Sequence, residues 1–219
     1  MDINTVKNIV NFIIDVELPE LQTITKERFN DLAQKANVKL FKDYYDDKKF
    51  DELRIFKVVR GDENNTPLNI DQYGKADLPS NYFRRISLTH KYKDGTTVKE
   101  VPVAILDDTA FDYSKKDPIE IPIKKYPVAN FQSDEIRFLP VNLRFANFSY
   151  YRYPNTPVFA TTWTKGFEQY SAGDSTDFEW NDDQLNEIII LMLADLGIAV
   201  DFEQLSQYIQ AYQANEQMT

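Results

Sequence analysis

The sequence contains no cysteine and only one histidine, His90. Without cysteine the chain can form no disulfide bond, thiolate nucleophile or cysteine-ligated zinc site. His90 lies in a run of alternating apolar and polar residues typical of a strand, and no cysteine is present to complete a metal site with it. We therefore predict that His90 is a structural residue on a strand face. For the protein as a whole we predict no catalytic residue and no metal ligand.

Glycine is also scarce, with six residues scattered singly. No glycine-rich phosphate loop, nucleophile elbow or zinc motif is present. Acidic pairs occur at 46–47, 107–108, 134–135 and 182–183. Adjacent side chains point in different directions, so these pairs are predicted to lie in hydrated turns and helix caps. The sequence predicts a protein that is not an enzyme and binds no cofactor.

Long apolar runs are missing as well. The longest, residues 188–193, is soon followed by Asp195, and the mean hydropathy is -0.49. A membrane-spanning helix needs about 20 consecutive apolar residues, so none is predicted. No basic region precedes an apolar run at the start of the sequence, so we expect no secretory signal and synthesis in the cytoplasm.

Basic residues are absent after Lys165, whereas residues 166–219 contain eleven acidic ones. A segment without cations cannot grip phosphate groups. Three explanations remain open: the segment faces a basic partner, lines a space through which nucleic acid passes without sticking, or forms an acidic solvated surface.

Prolines divide the chain, because nine of the ten lie between Pro67 and Pro157. Proline is excluded from helix interiors and tolerated at strand edges and turns. We predict an α+β protein in which a helical hairpin (1–50) and a loop with C-terminal helices (166–219) form a helical bundle. An antiparallel, β-rich, sandwich-like domain (51–165) is inserted between them.

Helix boundaries are marked by capping residues. The first helix is predicted to start after Asn4 and to end at Pro19, and Thr25 is predicted to cap the second. The last two helices each begin with residues that resemble a capping box, Asn181 with Gln184 and Asp201 with Gln204. Gly197 is predicted to end the helix that begins after Asn181. Strands are predicted at 53–59, 86–92, 98–103, 136–139, 143–153 and 157–163, with a hairpin turn at 94–95 and loops at 61–74 and 166–177.

Two surfaces are candidate interfaces. The helix after Asn181 is apolar on more than one side, because Ile190 and Leu191 fall off its main stripe, so it needs more than one packing partner. The last helix also has an apolar face. Together the two helices are predicted to form an interface with a partner protein or a neighbouring subunit, at Ile190, Leu191, Leu205, Tyr208, Ile209, Tyr212 and Gln213. A cluster of tyrosines indicates a second, outer interface on the β domain, or a platform that stacks on bases or sugars. Its members are Tyr150, Tyr151 and Tyr153.

Several stretches, in order along the chain, carry a resemblance to a known family. They are 25–45 (with Phe41-Lys42-Asp43-Tyr44-Tyr45), 78–84, 150–159 (Tyr-Tyr-Arg-Tyr-Pro-Asn-Thr-Pro-Val-Phe), and 175–180 leading into 188–197 and 208–213. With the helix–β–helix order, they resemble the head–tail adaptor proteins of short-tailed bacteriophages, most closely the ring proteins of crAss-like phages.

The resemblance implies a virion protein that docks on the portal protein at one capsid vertex. It would form a ring, of twelve copies, that continues the DNA channel into the tail, retains the genome and lets it pass during ejection. The alternative is a non-enzymatic binding module, in which a carbohydrate- or partner-binding β domain stands on a helical base; a hydrolase is a third hypothesis.

Overall fold

The computed structural model of the protein describes residues 1–20, 23–61, 66–116, 119, 121–164 and 166–216. Its helices are α1 (Ile3–Glu17), α2 (Lys26–Asp46), α3 (Asp108–Ser114), α4 (Asp182–Asp195) and α5 (Phe202–Glu216). Its strands are β1 (Lys57–Arg60), β2 (Leu68–Asn69), β3 (Lys75–Asp77), β4 (Tyr82–Asp94), β5 (Thr97–Pro102), β6 (Ala104–Ile105), β7 (Val128–Phe131), β8 (Glu135–Leu139), β9 (Phe145–Arg152), β10 (Thr161–Thr164) and β11 (Phe167–Tyr170). The α+β class predicted from the sequence is confirmed.

The chain forms two compact units. The helical unit comprises Met1–Ile55 and Pro154–Thr219, and the β unit comprises Phe56–Tyr153. The chain returns to the helical unit at Pro154, whereas the sequence placed the end of the insertion at residue 165. The β10–β11 hairpin therefore belongs to the helical unit.

Caps set the ends of α1 and α2. The Asp2 carboxylate accepts the Thr5 N–H at 2.7 Å, so α1 begins at Ile3, earlier than the sequence predicted. The predicted Thr25 cap is confirmed, because its hydroxyl accepts the Arg28 N–H at 3.3 Å. The apolar stripes of both helices are buried, and α2 packs against α4.

The two C-terminal helices use different caps. Asn181 accepts the N–H groups of Asp183 and Gln184, but the Gln184 side chain donates to Glu52, so only half of the predicted capping box forms. At α5 the box is complete: Asp201 Oδ1 accepts the Gln204 N–H at 2.8 Å, and Gln204 Oε1 accepts the Asp201 N–H at 3.0 Å.

The predicted strand at 53–59 is partly wrong. A short 3₁₀ helix, Glu52–Phe56, precedes β1. Leu53 and Phe56 are buried whereas Ile55 is 52% exposed. The buried positions therefore recur every third residue, which is the period of a 3₁₀ helix rather than of a strand.

Two sheets form the β unit. The first has the order β1-β9-β4-β5, with β2 also paired to β9, and all its pairs are antiparallel. The predicted hairpin is confirmed, since Asp94 pairs with Thr97 across the turn. The second has the order β3-β8-β7-β6, in which β6 and β7 are parallel. Buried side chains of both sheets share one core, which includes Ala76, Leu88, Ile136, Phe138, Phe148 and Tyr150.

Candidate functional site

The apolar face of α5, predicted as an interface, packs within the chain. Leu205 is buried at 1% exposure, and α5 lies against α1 and α4. The Tyr208 hydroxyl donates to the Glu17 carboxylate on α1. The Tyr212 ring meets the Phe12 ring edge-on, with centroids 6.0 Å apart. These three side chains therefore hold α5 onto its own chain.

The other residues of this predicted interface are more accessible. Ile209 is half-buried and Gln213 is exposed. Ile190 and Leu191 are half-buried and border a cavity of about 270 Å³ beside Phe202, which is 55% exposed. The same cavity is lined by Leu40 and Tyr44 of α2, so the second apolar side of α4 already has partners within the helical unit.

Tyr44 forms the polar edge of this cavity. Its hydroxyl donates to Glu187 Oε1 at 2.6 Å. Burial, followed by the hydrogen bond to Glu187, raises the pKa of Tyr44 well above its ordinary value. The phenol is protonated at neutral pH, like that of any tyrosine, and its hydrogen bond ties α2 to α4. The raised pKa means that it keeps its proton to a higher pH than an ordinary tyrosine.

The tyrosines of β9 are divided between the core and its margin. Tyr150 is 1% exposed and stacks on Phe148, with centroids 5.0 Å apart, so its assignment to an outer interface is wrong. Every second side chain of β9 faces the core, which places Tyr150 and Phe148 on the inner face. Tyr151 and Tyr153 are half-buried, and Tyr153 meets Phe83 edge-on at 5.0 Å.

Several acids of the C-terminal segment are hydrogen-bond acceptors within the helical unit. Asp177 Oδ1 accepts the Ile3 N–H at 2.8 Å, and Glu179 Oε2 accepts the Asn155 N–H at 2.7 Å. Glu187 Oε1 likewise accepts a hydrogen bond, from the Tyr44 hydroxyl. These carboxylates join distant parts of the chain, a role that the charge pattern did not predict.

The β10–β11 hairpin carries two exposed aromatic side chains, Trp163 at 76% and Phe167 at 71% exposure. Its base is anchored: Tyr170 stacks on Phe159 with centroids 5.2 Å apart, and Lys26 Nζ donates to Thr161 at 3.2 Å. An isolated two-stranded ribbon is marginally stable in water, and exposed aromatics are enriched at protein interfaces. This hairpin, which the sequence assigned in part to a loop, is the most exposed aromatic feature of the helical unit.

His90 lies on β4, as predicted, and is 6% exposed. Its Nδ1 is 2.9 Å from the carbonyl oxygen of Phe145. Its Nε2 is buried, with no hydrogen-bond partner among the residues that the structure describes. The same described residues contain no cluster of three or more histidine, aspartate or glutamate side chains placed to hold a metal ion.

Within the described ranges, no helix combines the length and the apolar character needed to cross a membrane. No protein-family model and no curated protein matches the sequence.

Proposed function

We propose that the protein is a structural virion protein, a head-to-tail connector subunit of a short-tailed bacteriophage. In this proposal it forms a homo-oligomeric ring, of twelve copies, at the portal vertex. The ring binds the portal protein and an adjacent ring or tail protein, and DNA passes through it without sequence-specific binding.

The exposed aromatic tip of the β10–β11 hairpin is the observation that supports an assembly role. Trp163 and Phe167 stand 76% and 71% exposed on a ribbon whose base is fixed to the helical unit. Aromatic side chains contribute a large share of binding energy when they become buried in an interface. The proposal therefore assigns this tip to the contact with a neighbouring subunit or the portal protein.

Charge supports the passage of DNA. The helical unit contains 22 acidic and 10 basic residues, whereas the β unit contains 13 acidic and 15 basic ones. A ring wall built from the helical unit would carry many negative charges per copy and would repel the phosphate backbone. The proposal accordingly assigns the channel wall to the helical unit.

Native mass spectrometry of the protein, alone and with the portal protein of the same phage, tests the proposal. We expect a closed ring or a stoichiometric complex with the portal. The double variant Trp163→Ser/Phe167→Ser should remain folded by circular dichroism and lose that assembly. Tyr113→Ser removes an equally exposed aromatic, 71% exposed, from the β unit, and should assemble normally. A wild-type chain that stays monomeric and ignores the portal would refute the proposal.

A further inference from the structure

One face of the β10–β11 hairpin is packed at its base and uncovered at its tip. Trp163 lies two residues after Thr161, which pairs with Tyr170 across the ribbon, so the three side chains share this face. At the base Tyr170 stacks on Phe159, with ring centroids 5.2 Å apart, whereas at the tip Trp163 is 76% exposed. Trp163 therefore extends the packing face of the hairpin beyond the part that its own chain covers.

The cavity between α2, α4 and the start of α5 has an apolar lining suited to an aromatic ring. This lining comprises Leu40, Ile190, Leu191 and the rings of Tyr44 and Phe202. Its volume of about 270 Å³ has room for one indole ring, and Phe202 is 55% exposed beside it. Aromatic rings pack favourably edge-to-face on one another, so a further aromatic side chain would be stabilised here.

The charged residues that line the cavity include one acceptor without a partner. Glu187 accepts from the Tyr44 hydroxyl, and Asp47 lies 3.8 Å from Lys49 in an ion pair. The exposed carboxylate of Asp43 has no ion pair and no hydrogen bond to another residue that the structure describes. An indole N–H needs an acceptor when its ring becomes buried, and Asp43 can provide it.

An indole that enters this cavity cannot come from the same chain. Lys26, in the first turn of α2, anchors the hairpin at Thr161, whereas Tyr44 lies in the last turn of that 21-residue helix. The intervening turns span roughly 27 Å, but Trp163 is only two strand residues, roughly 7 Å, beyond Thr161. The other tryptophan, Trp180, is 6% exposed. In a complex of identical chains, the available indole is therefore Trp163 of a second copy.

We propose that Trp163, at the tip of the β10–β11 hairpin, inserts into the cavity between α2, α4 and α5 of the adjacent copy. This inference rests on the proposed function and names the contact that joins the subunits of the ring. The indole ring packs against Phe202 and Leu191 of that copy, and Nε1–H donates to its Asp43 carboxylate. Because the donating and receiving surfaces differ and lie toward opposite ends of α2, each copy gives one tip and receives one. Such a head-to-tail contact generates a ring when the rotation between copies closes.

Tryptophan fluorescence of the full chain measures the burial of Trp163. Since Trp180 is already buried in the single chain, a change on assembly reports Trp163. We expect the emission of the assembled wild type to shift to shorter wavelength and its quenching by acrylamide to fall severalfold. Trp163→Phe keeps an aromatic tip but leaves only Trp180 as a fluorophore, and its emission should not change on assembly.

Because the chain contains no cysteine, cross-links can be placed at single pairs of positions. Thr164 follows Trp163 in β10, and Asp47 lines the cavity. A mixture of Thr164→Cys and Asp47→Cys chains treated with a short bismaleimide should give a covalent dimer that contains one chain of each kind. A mixture of Thr164→Cys and Val16→Cys is the control and should not, because Val16 is an exposed residue of α1 outside the cavity.

Two glutamate variants compare apolar positions of similar exposure. Phe202→Glu places a charge in the cavity and should weaken the association of the copies at least about tenfold. Val16→Glu, at a position that is 52% exposed, should assemble normally. A ring in which Trp163 stays as accessible as in the single chain, without the cross-link, would overturn this inference and leave the proposed function standing. A chain that stays monomeric with and without the portal protein would overturn both, and a cross-linked open filament would support the contact and contradict the ring.

Discussion

Asn37 is a buried polar residue at the centre of the helical unit, 1% exposed. Its Nδ2 donates to the carbonyl of Asn155 at 2.9 Å, and its Oδ1 accepts from Trp180 Nε1 at 2.6 Å. One side chain on α2 thus satisfies a backbone acceptor and an indole donor from the returning chain. Buried polar groups are tolerated when they are paired in this way.

Replacing Asn37 with leucine should lower the free energy of unfolding by about 3 kcal/mol, because the Asn155 carbonyl and the Trp180 indole N–H both lose their partner. Urea denaturation followed by circular dichroism measures the change. Gln34→Leu, at an exposed position of the same helix, should change the free energy of unfolding by less than about 0.5 kcal/mol. Equal effects of the two substitutions would contradict this role of Asn37.

Tyr44 predicts a pH dependence at the alkaline end. At pH 7, Tyr44→Phe should be less stable by about 2 kcal/mol, since it loses a hydrogen bond to the Glu187 carboxylate. Burial and that hydrogen bond raise the pKa of Tyr44 in the folded protein above the ordinary value of 10.0. As the pH rises above 10, the unfolded chain therefore releases the phenolic proton first, and unfolding is favoured.

The stability advantage of the wild type over Tyr44→Phe should thus be constant up to about pH 9.5 and then shrink as the pH rises further. Chemical denaturation of both proteins between pH 7 and 11 measures it, and the other tyrosines cancel in the comparison. An advantage that stayed constant up to pH 11 would argue against the hydrogen bond between Tyr44 and Glu187.

At the scale of the element, the end of α4 depends on a backbone conformation that glycine favours. Gly197 has φ = 84°, and its N–H donates to the Ala194 carbonyl at 3.0 Å. The next N–H, of Ile198, donates to the Leu193 carbonyl at 2.9 Å. Together these bonds form a Schellman motif, as the position of Gly197 in the sequence indicated.

Gly197→Ala should lower the free energy of unfolding by about 1 kcal/mol, because a Cβ is disfavoured at positive φ. Gly173→Ala is the matched control, since a Cβ at either position has open space around it and Gly173 does not have a positive φ. Thermal denaturation should show a lower midpoint for Gly197→Ala and an unchanged or higher one for Gly173→Ala. Equal midpoints would show that the conformation of Gly197 is not constrained.

The elements that could be predicted are those with a strong local signal. All four long helices have an apolar stripe and a capping residue, so their existence follows from the sequence. The hairpin at residues 94–95 has a turn signal between two strand-like runs. Helix α3 and strand β11 lack such signals: α3 is only seven residues long, and β11 is largely exposed, so neither shows a clear apolar period.

At the scale of the whole molecule, the β unit has the properties of an inserted domain. It has its own core, and its first strand, β1, pairs with its last, β9, with Lys57 opposite Tyr151. The two chain ends of the unit therefore lie side by side, an arrangement that favours insertion into another domain.

We expect residues 56–153 expressed alone to fold and to unfold cooperatively. A single transition in urea, observed equally by near- and far-ultraviolet circular dichroism, would support this. A matched fragment that ends at residue 144 removes β9, the strand that joins β1, β2 and β4, and should not fold. An unfolded 56–153 fragment would mean that the β unit depends on the helical unit for its stability.

The candidate sites show the limit of sequence reasoning at this scale. The anchors of the β10–β11 hairpin include Lys26 on α2, and no local pattern relates that segment to Thr161, its partner in the hairpin. The burial of Tyr150 depends on the second sheet, which covers the inner face of β9. In contrast, the position of His90 on a strand was predictable, because the alternation of apolar and polar residues that indicates a strand is visible in the local sequence.

The adjacent ends of the β unit also determine how it would respond to mechanical tension. Its connections to the helical unit leave from the start of β1 and the end of β9, at the same end of one antiparallel pair. A pull between these connections would peel β1 from β9 one residue pair at a time, beginning with Lys57 and Tyr151, instead of shearing the whole ladder at once. The β unit would therefore begin to open at low force, at the end where Lys57 pairs with Tyr151. Because β1 has only four residues, only a short length of chain would be released before the force acts on the central strands β9 and β4.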